Sequence, residues 1–188
     1  MTRQELHSQF AALGGETVPA ETMDSYFNLA YPRFISEFVA WAPEHLASLI
    51  AYRYITLTSA KEYDYPSNTD GSPAIDALLE VVAYNTTLER MDGPSTKTKA
   101  YWLDRGKICL ANVWPGVLRL KCVESMKMGQ GYTEYFPINP AIGQVWALLA
   151  LASYFISIGD IETAQVKNAQ VAGIVNSLRQ VTPVGRSW

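Results

Sequence analysis

The sequence predicts an α+β protein: a helical bundle made by N- and C-terminal helices, with a central β-rich insert. Helical periodicity governs the first fifty residues, alternation of β-branched and aromatic residues takes over near residue 51, and apolar helical patterns return after about 138. Helices and strands segregated along the chain in this way read as α+β. With 188 residues, the expectation is one subunit with helices at 3–50 and 138–181, a β-rich insert at 51–125 and a tail at 182–188.

A short leading helix is expected over residues 3 to 13, ended by Gly14-Gly15. From Pro19 to Trp41, the apolar residues Phe27, Ala30, Phe34, Phe38 and Trp41 recur at steps of three and four and line one helical face. Pro32 lies inside this run and lacks a backbone donor, which predicts a kink or a fresh helix start there. Pro43 then suits the first position of another short turn. Tyr52 to Thr58 reads as a strand, and Glu62-Tyr63-Asp64-Tyr65-Pro66 as a second extended segment. Residues 67–73 have loop composition. Leu78 to Tyr84 suits a strand, with a helix starting near Ala74 as the competing reading. A second loop covers Asp92 to Lys99, and Tyr101 to Leu103 is a short strand.

From Lys107 to Val123, two apolar runs flank Trp114-Pro115-Gly116-Val117, which predicts a hairpin closed by a type II turn. In that register Ala111 faces Leu120 and Cys109 faces Cys122. The buried face is Cys109, Ala111, Val113, Leu118, Leu120 and Cys122, and Asn112, Arg119 and Lys121 lie on the solvated one. Past Gly129-Gln130-Gly131, residues 141–158 form a nearly apolar helix. Gly159 stops it, Asp160 caps the next helix, 161–181, and that helix carries a stripe of Val171, Ile174, Val175 and Leu178.

The apolar helix approaches the roughly 20 residues of a membrane span, but Pro140, Asp160 and Glu162 flank it without basic anchors, so a helix buried among neighbours is expected and no membrane partner. The N-terminus shows no signal-peptide run, which predicts a cytoplasmic location. Two cysteines exclude a disulfide scaffold; Cys109 and Cys122 read as buried thiols, with a cross-strand disulfide as the alternative. His7 and His45 have no ligand spacing to other metal-binding residues, and no catalytic or phosphate-loop motif is complete, so no cofactor, no metal and no enzyme activity are expected. A net charge of -3 argues against a chain that grips nucleic acid over its whole surface. The basic residues Lys97, Lys99, Arg105 and Lys107 cluster around the second loop. Eleven tyrosines and five tryptophans among few charges instead suggest surfaces buried against partners.

In order and spacing, three segments resemble the head-to-tail connector subunits of tailed phages, in particular podophage tail-tubular adaptors. They are Phe27-Asn28-Leu29-Ala30-Tyr31-Pro32-Arg33-Phe34 through Trp41-Ala42, then Tyr54-Ile55-Thr56-Leu57-Thr58, then Glu62-Tyr63-Asp64-Tyr65-Pro66. Phe136-Pro137, before an Ala- and Leu-rich helix and a final helix ending at Val181, looks like the family's ending. The loop from Asp92 to Lys99 departs from the family pattern.

The resemblance implies a structural protein of the virion neck that assembles in the host cytoplasm. It implies a homo-oligomeric ring, usually a dodecamer, bound to the portal protein on one side and to a tail or nozzle protein on the other, with DNA passing through. It implies no catalysis and no cofactor. The alternative is a small cytoplasmic binding domain or an enzyme of unknown substrate. For the adaptor, the loops 66–74 and 92–100 are the expected contact elements, with Asp70, Asp92, Lys97 and Lys99 as interface residues. Arg186 and Trp188 in the tail are expected to anchor on a neighbour or the portal. The channel wall is expected to be neutral or acidic, with acidic residues of the last helix or the β-domain loops as candidates.

Overall fold

The computed structural model describes residues 1–15, 18–41, 43–67, 74–126, 128–129 and 135–181. The fold is mixed α+β, and the chain divides into two compact units. One comprises Met1–Leu49 and Met126–Trp188, the other Ile50–Ser125.

The first unit is helical. Helix α1 (Arg3–Phe10) starts with a reciprocal cap: Glu5 N–H donates to Thr2 Oγ1 at 3.2 Å, and Thr2 N–H donates to the Glu5 carboxylate at 2.7 Å. These bonds hold the Glu5 carboxyl below its usual range. Helical geometry continues beyond Phe10 as a π turn, Ala11–Gly15, and is broken at Gly14, which takes φ +120°, in agreement with a helix expected to end at Gly14-Gly15. Helix α2 (Ala20–Trp41) continues through Pro32, so no fresh helix starts there. Pro32 is exposed, and the carbonyl its missing N–H leaves unpaired can be taken by water on the solvent side. A 3₁₀ turn, Pro43–Leu49, follows as expected.

Helix α3 (Pro140–Ser157) opens on Asn139, whose side chain accepts from Ile142 N–H at 3.0 Å, with Pro140 at the first turn. By length and composition α3 can cross a membrane; here Ile142, Gly143 and the unbroken run Val145 to Ala152 are buried within the unit. Its Trp146 is the hub of the core. The ring meets Phe27 edge-on at 5.3 Å, Phe136 edge-on at 5.1 Å, and stacks on Phe34 at 5.3 Å. Asp160 accepts from Thr163 N–H at 3.0 Å and caps helix α4 (Ile161–Val181) as read from the sequence. Ala164, Val171 and Val175 of α4 are buried, and Ile174 and Leu178 half-buried.

The second unit is two four-stranded sheets sharing one core. The strands are β1 (Ile50–Thr56), β2 (Glu62–Asp64), β3 (Ile75–Ala83), β4 (Thr86–Thr87), β5 (Glu89–Arg90), β6 (Ala100–Asp104), β7 (Lys107–Leu110) and β8 (Val117–Glu124). One sheet is ordered β1-β8-β3-β4 and the other β2-β7-β6-β5. Leu78, Val81, Leu118 and Leu120 of the first sheet join Tyr101, Ile108 and Leu110 of the second in the core. Strand β3 settles its region against the competing helix.

The predicted hairpin from Lys107 to Val123 is not formed. Strand β7 pairs with β6 and β2, whereas β8 pairs with β1 and β3, so the two apolar runs belong to different sheets. The reason lies in turn geometry. Arg105 and Gly106, both at positive φ, close the β6–β7 hairpin with the left-handed geometry that matches strand twist. A Pro-Gly turn of type II splays the strands it joins, and here Pro115-Gly116 lies on a crossing from one sheet to the other. Cys109 therefore faces Glu62 and Trp102, and Cys122 faces Ala51 and Leu78. In β7 Cys109 is buried as expected, but it is Ile108 and Leu110 that enter the core of the two sheets, and Val113 is 43% exposed. Within β8 the predicted alternation holds, with Leu118, Leu120 and Cys122 inward.

Candidate functional site

Of the residues expected at an interface, Asp70, Arg186 and Trp188 lie outside the described residues. So does most of the loop 66–74, although its base is closed by Ala74 N–H donating to the Pro66 carbonyl at 2.9 Å. Asp92, Lys97 and Lys99 are exposed on the second loop. Lys97 is engaged: its ammonium donates to both oxygens of Glu89 at 2.8 Å. The carbonyl of Lys99 accepts from Glu89 N–H at 2.9 Å, which pins the loop to β5.

The basic cluster read from the sequence is split by strand β6. Lys97 and Lys99 precede the strand, whereas Arg105 and Lys107 follow it, roughly 20 Å away along an extended chain. Lys107 reaches Glu62 at 3.4 Å. These cations do not form one phosphate-gripping patch.

A different constellation is assembled by strand register. On the outer face of the β1-β8-β3-β4 sheet, Tyr52 lies opposite Lys121 and Tyr54 opposite Arg119, while Arg119 also faces Val82. The Arg119 guanidinium stands 5.7 Å from the centre of the Tyr52 ring, a cation–π distance. Tyr52 and Tyr54 are 51% and 66% exposed, and Tyr84, in the β3–β4 turn, is 70% exposed. A cavity of about 390 Å³ opens among Tyr54, Tyr84, Asn85, Val117 and Arg119. Tyr84 and Asn85 both hold positive φ, 46° and 59°. That conformation is costly for a bulky side chain, so the turn presents an aromatic ring where Asn or Gly is the relaxed choice.

Burial pushes the Cys109 and Cys122 thiols up, which keeps these free, buried cysteines protonated. Burial likewise pushes the Tyr65 hydroxyl up to about 12, and raises Tyr101 against the opposing charge of Arg90. Among the described residues, no group of three or more His, Cys, Asp or Glu is placed to hold a metal ion. In the helical unit, His7 and Arg3 both reach the buried Asp24, a structural clamp. That unit also exposes apolar side chains around the α3–α4 corner, with Ile156, Ile158, Ile161 and Val166 all more than half exposed.

Sequence reasoning assigned Arg119 and Lys121 to a solvated face and gave no role to the tyrosines of β1. The available signal was the alternation Tyr52-Arg53-Tyr54 beside Arg119-Leu120-Lys121, two strands carrying bulky polar residues at every second position. No protein-family model matches the chain, and comparison with curated proteins finds no match.

Proposed function

We propose that the chain is a structural head-to-tail adaptor of a tailed phage, forming a ring between the portal and the tail through which DNA passes. On this reading the helical segments act as a bundle into which the β-rich unit is inserted. The observation that supports it is a pair of unlike exposed surfaces. One is the tyrosine- and arginine-bearing outer face of the β1-β8-β3-β4 sheet, and the other the isoleucines at the α3–α4 corner. A cyclic ring needs heterologous contacts, in which each subunit offers two different patches to its two neighbours. Tyr and Arg are enriched among the residues that carry interface energy.

The tail residues Arg186 and Trp188 remain proposed anchors on a neighbour or the portal, and Asp70, Asp92, Lys97 and Lys99 proposed contact residues of the two loops. An acidic channel wall draws little from α4, whose single acidic residue is Glu162. The test is assembly. The purified chain should form rings in negative-stain images and be found in virions by mass spectrometry. A monomer absent from particles refutes the adaptor. Removing residues 184–188 should impair ring formation or portal binding, and deleting 93–98 should impair tail attachment; intact assembly after either deletion removes that segment from the interface.

A further inference from the structure

We infer that strand β1 is an acceptor edge: an extended partner segment carrying carboxylates on one face adds to it as a ninth strand of the β unit. Among the described residues β1 is the long open edge. The other terminal strands are short: β4 and β5 have two residues each and β2 three, against seven in β1. Strand β3 beyond β4 is interrupted by two register shifts. Natural proteins blunt such edges with prolines, bulges or charges; β1 has no proline and no bulge, and its one charge, Arg53, is engaged by Glu124.

The orientation of the edge follows from one bond. Leu57 N–H donates to the Gly116 carbonyl at 2.9 Å, continuing the unbroken β1–β8 register. In an antiparallel ladder bonded pairs alternate, so Ala51, Arg53, Ile55 and Leu57 turn their backbone groups toward β8. Tyr52, Tyr54 and Thr56 turn theirs outward. A cavity of about 460 Å³ lies along this edge, lined by Tyr52, Arg53, Tyr54, Ile55, Asp64 and Pro66. The outward backbone groups of Tyr52 and Tyr54 thus open onto this space.

Charge selects the occupant. The side chains of an added strand alternate between two faces. On the outer face they meet Tyr52, Tyr54 and the guanidinium of Arg119, which already leans toward the edge over the Tyr52 ring. On the inner face they meet Ile55 and Pro66, with Asp64 on the far wall and Arg53 engaged by Glu124. Carboxylates outward and apolar residues inward therefore fit. A second copy of β1 fits poorly, because the segment Ile50–Thr56 carries no carboxylate to offer Arg119.

This inference deepens the reading of the sheet face as a contact surface, yet it is tested on the isolated chain, so ring formation and strand addition fail separately. The probes are a heptapeptide alternating Val and Glu, its Val/Lys counterpart, an acidic version N-methylated at alternate residues, and a short oligothymidylate. The acidic peptide should bind and slow hydrogen exchange at the amides of Tyr52, Tyr54 and Thr56, leaving those of Arg53 and Ile55 as they were. The Lys peptide and the Arg119→Ala variant with the acidic peptide should each bind about tenfold more weakly. The N-methylated peptide should not bind. No binding of the acidic peptide at about 1 mM, binding without slowed exchange at those three amides, or equal binding of acidic and basic peptides overturns the inference. Displacement of the peptide by oligothymidylate, with tighter binding of the latter, also overturns it and makes the face a base-stacking surface.

Discussion

The indole N–H of Trp146 donates to the backbone carbonyl of Phe27 at 2.9 Å, joining α3 to α2 inside the helical core. The same ring packs on Tyr31, Phe34 and Phe136, so one side chain supplies both apolar area and a buried polar link. Trp146→Phe keeps an aromatic ring but removes the donor and leaves a cavity. It should cost about 2–4 kcal/mol, read as a lower urea midpoint at unchanged slope. A loss below about 1 kcal/mol means that the core closes around the smaller ring.

Asp24 ties α1 to α2. Its carboxylate accepts from Arg3 Nε at 3.0 Å and lies 2.8 Å from His7 Nε2, at only 5% exposure. Removing one partner of a buried ion pair leaves the other uncompensated. Arg3→Ala, which leaves the buried carboxylate short of a partner, should therefore destabilise by about 2–4 kcal/mol, whereas Asp24→Ala, which leaves only the more exposed Arg3 and His7, should cost about 1 kcal/mol. Equal losses from the two variants contradict the asymmetry.

Gly15 sits against the ring of Phe10, which is fully buried. A Cβ at this position would collide with the Phe10 ring. Gly15→Ala should cost about 1–3 kcal/mol by overpacking. Coupled with Phe10→Leu, the loss should shrink, because the smaller side chain makes room. Additive losses from the two substitutions reject the steric account.

The boundaries and faces of several elements were legible in the sequence, where short-range rules decide. Asp160 caps α4 because a carboxylate three residues before an amide satisfies it locally, and Leu118, Leu120 and Cys122 face inward because period-two alternation buries one face. The sheet membership of β7 was not legible. Pro115-Gly116 reads as the hairpin turn, yet it is Arg105-Gly106 that closes one, and packing between sheets decides which. The candidate site was less visible still. Tyr52, Tyr84 and Arg119 are far apart in the chain and meet only through the register of β1 on β8 and β8 on β3.

Tyr84 holds φ 46° with its ring 70% exposed, so its position strains the backbone and gains little burial within the chain. Tyr84→Asn places a residue that accepts this conformation in the β3–β4 turn. The variant should be more stable by about 0.5–1 kcal/mol while binding at the sheet face weakens. A destabilised variant means that the ring supports the fold.

Alkaline pH should open the β unit first. Burial favours the neutral form of the Tyr65 hydroxyl and raises it from 10.0 to about 12, with Cys122 adding to the effect and Arg90 opposing it. Because the folded state holds this proton more tightly than the unfolded chain, the contribution is intact below pH 10 and drains as pH climbs toward about 12. Tyr101 and the thiols of Cys109 and Cys122, also raised by burial, act in the same direction. Unfolding midpoints in urea should thus be level through neutral pH, begin to fall above pH 9 as the thiols contribute, and fall further above pH 10. Tyr65→Phe, which removes one titrating group and keeps the ring, should make that fall shallower without abolishing it. An unchanged alkaline slope in the variant shows that Tyr65 is hydrated in both states and that the loss belongs to the other groups.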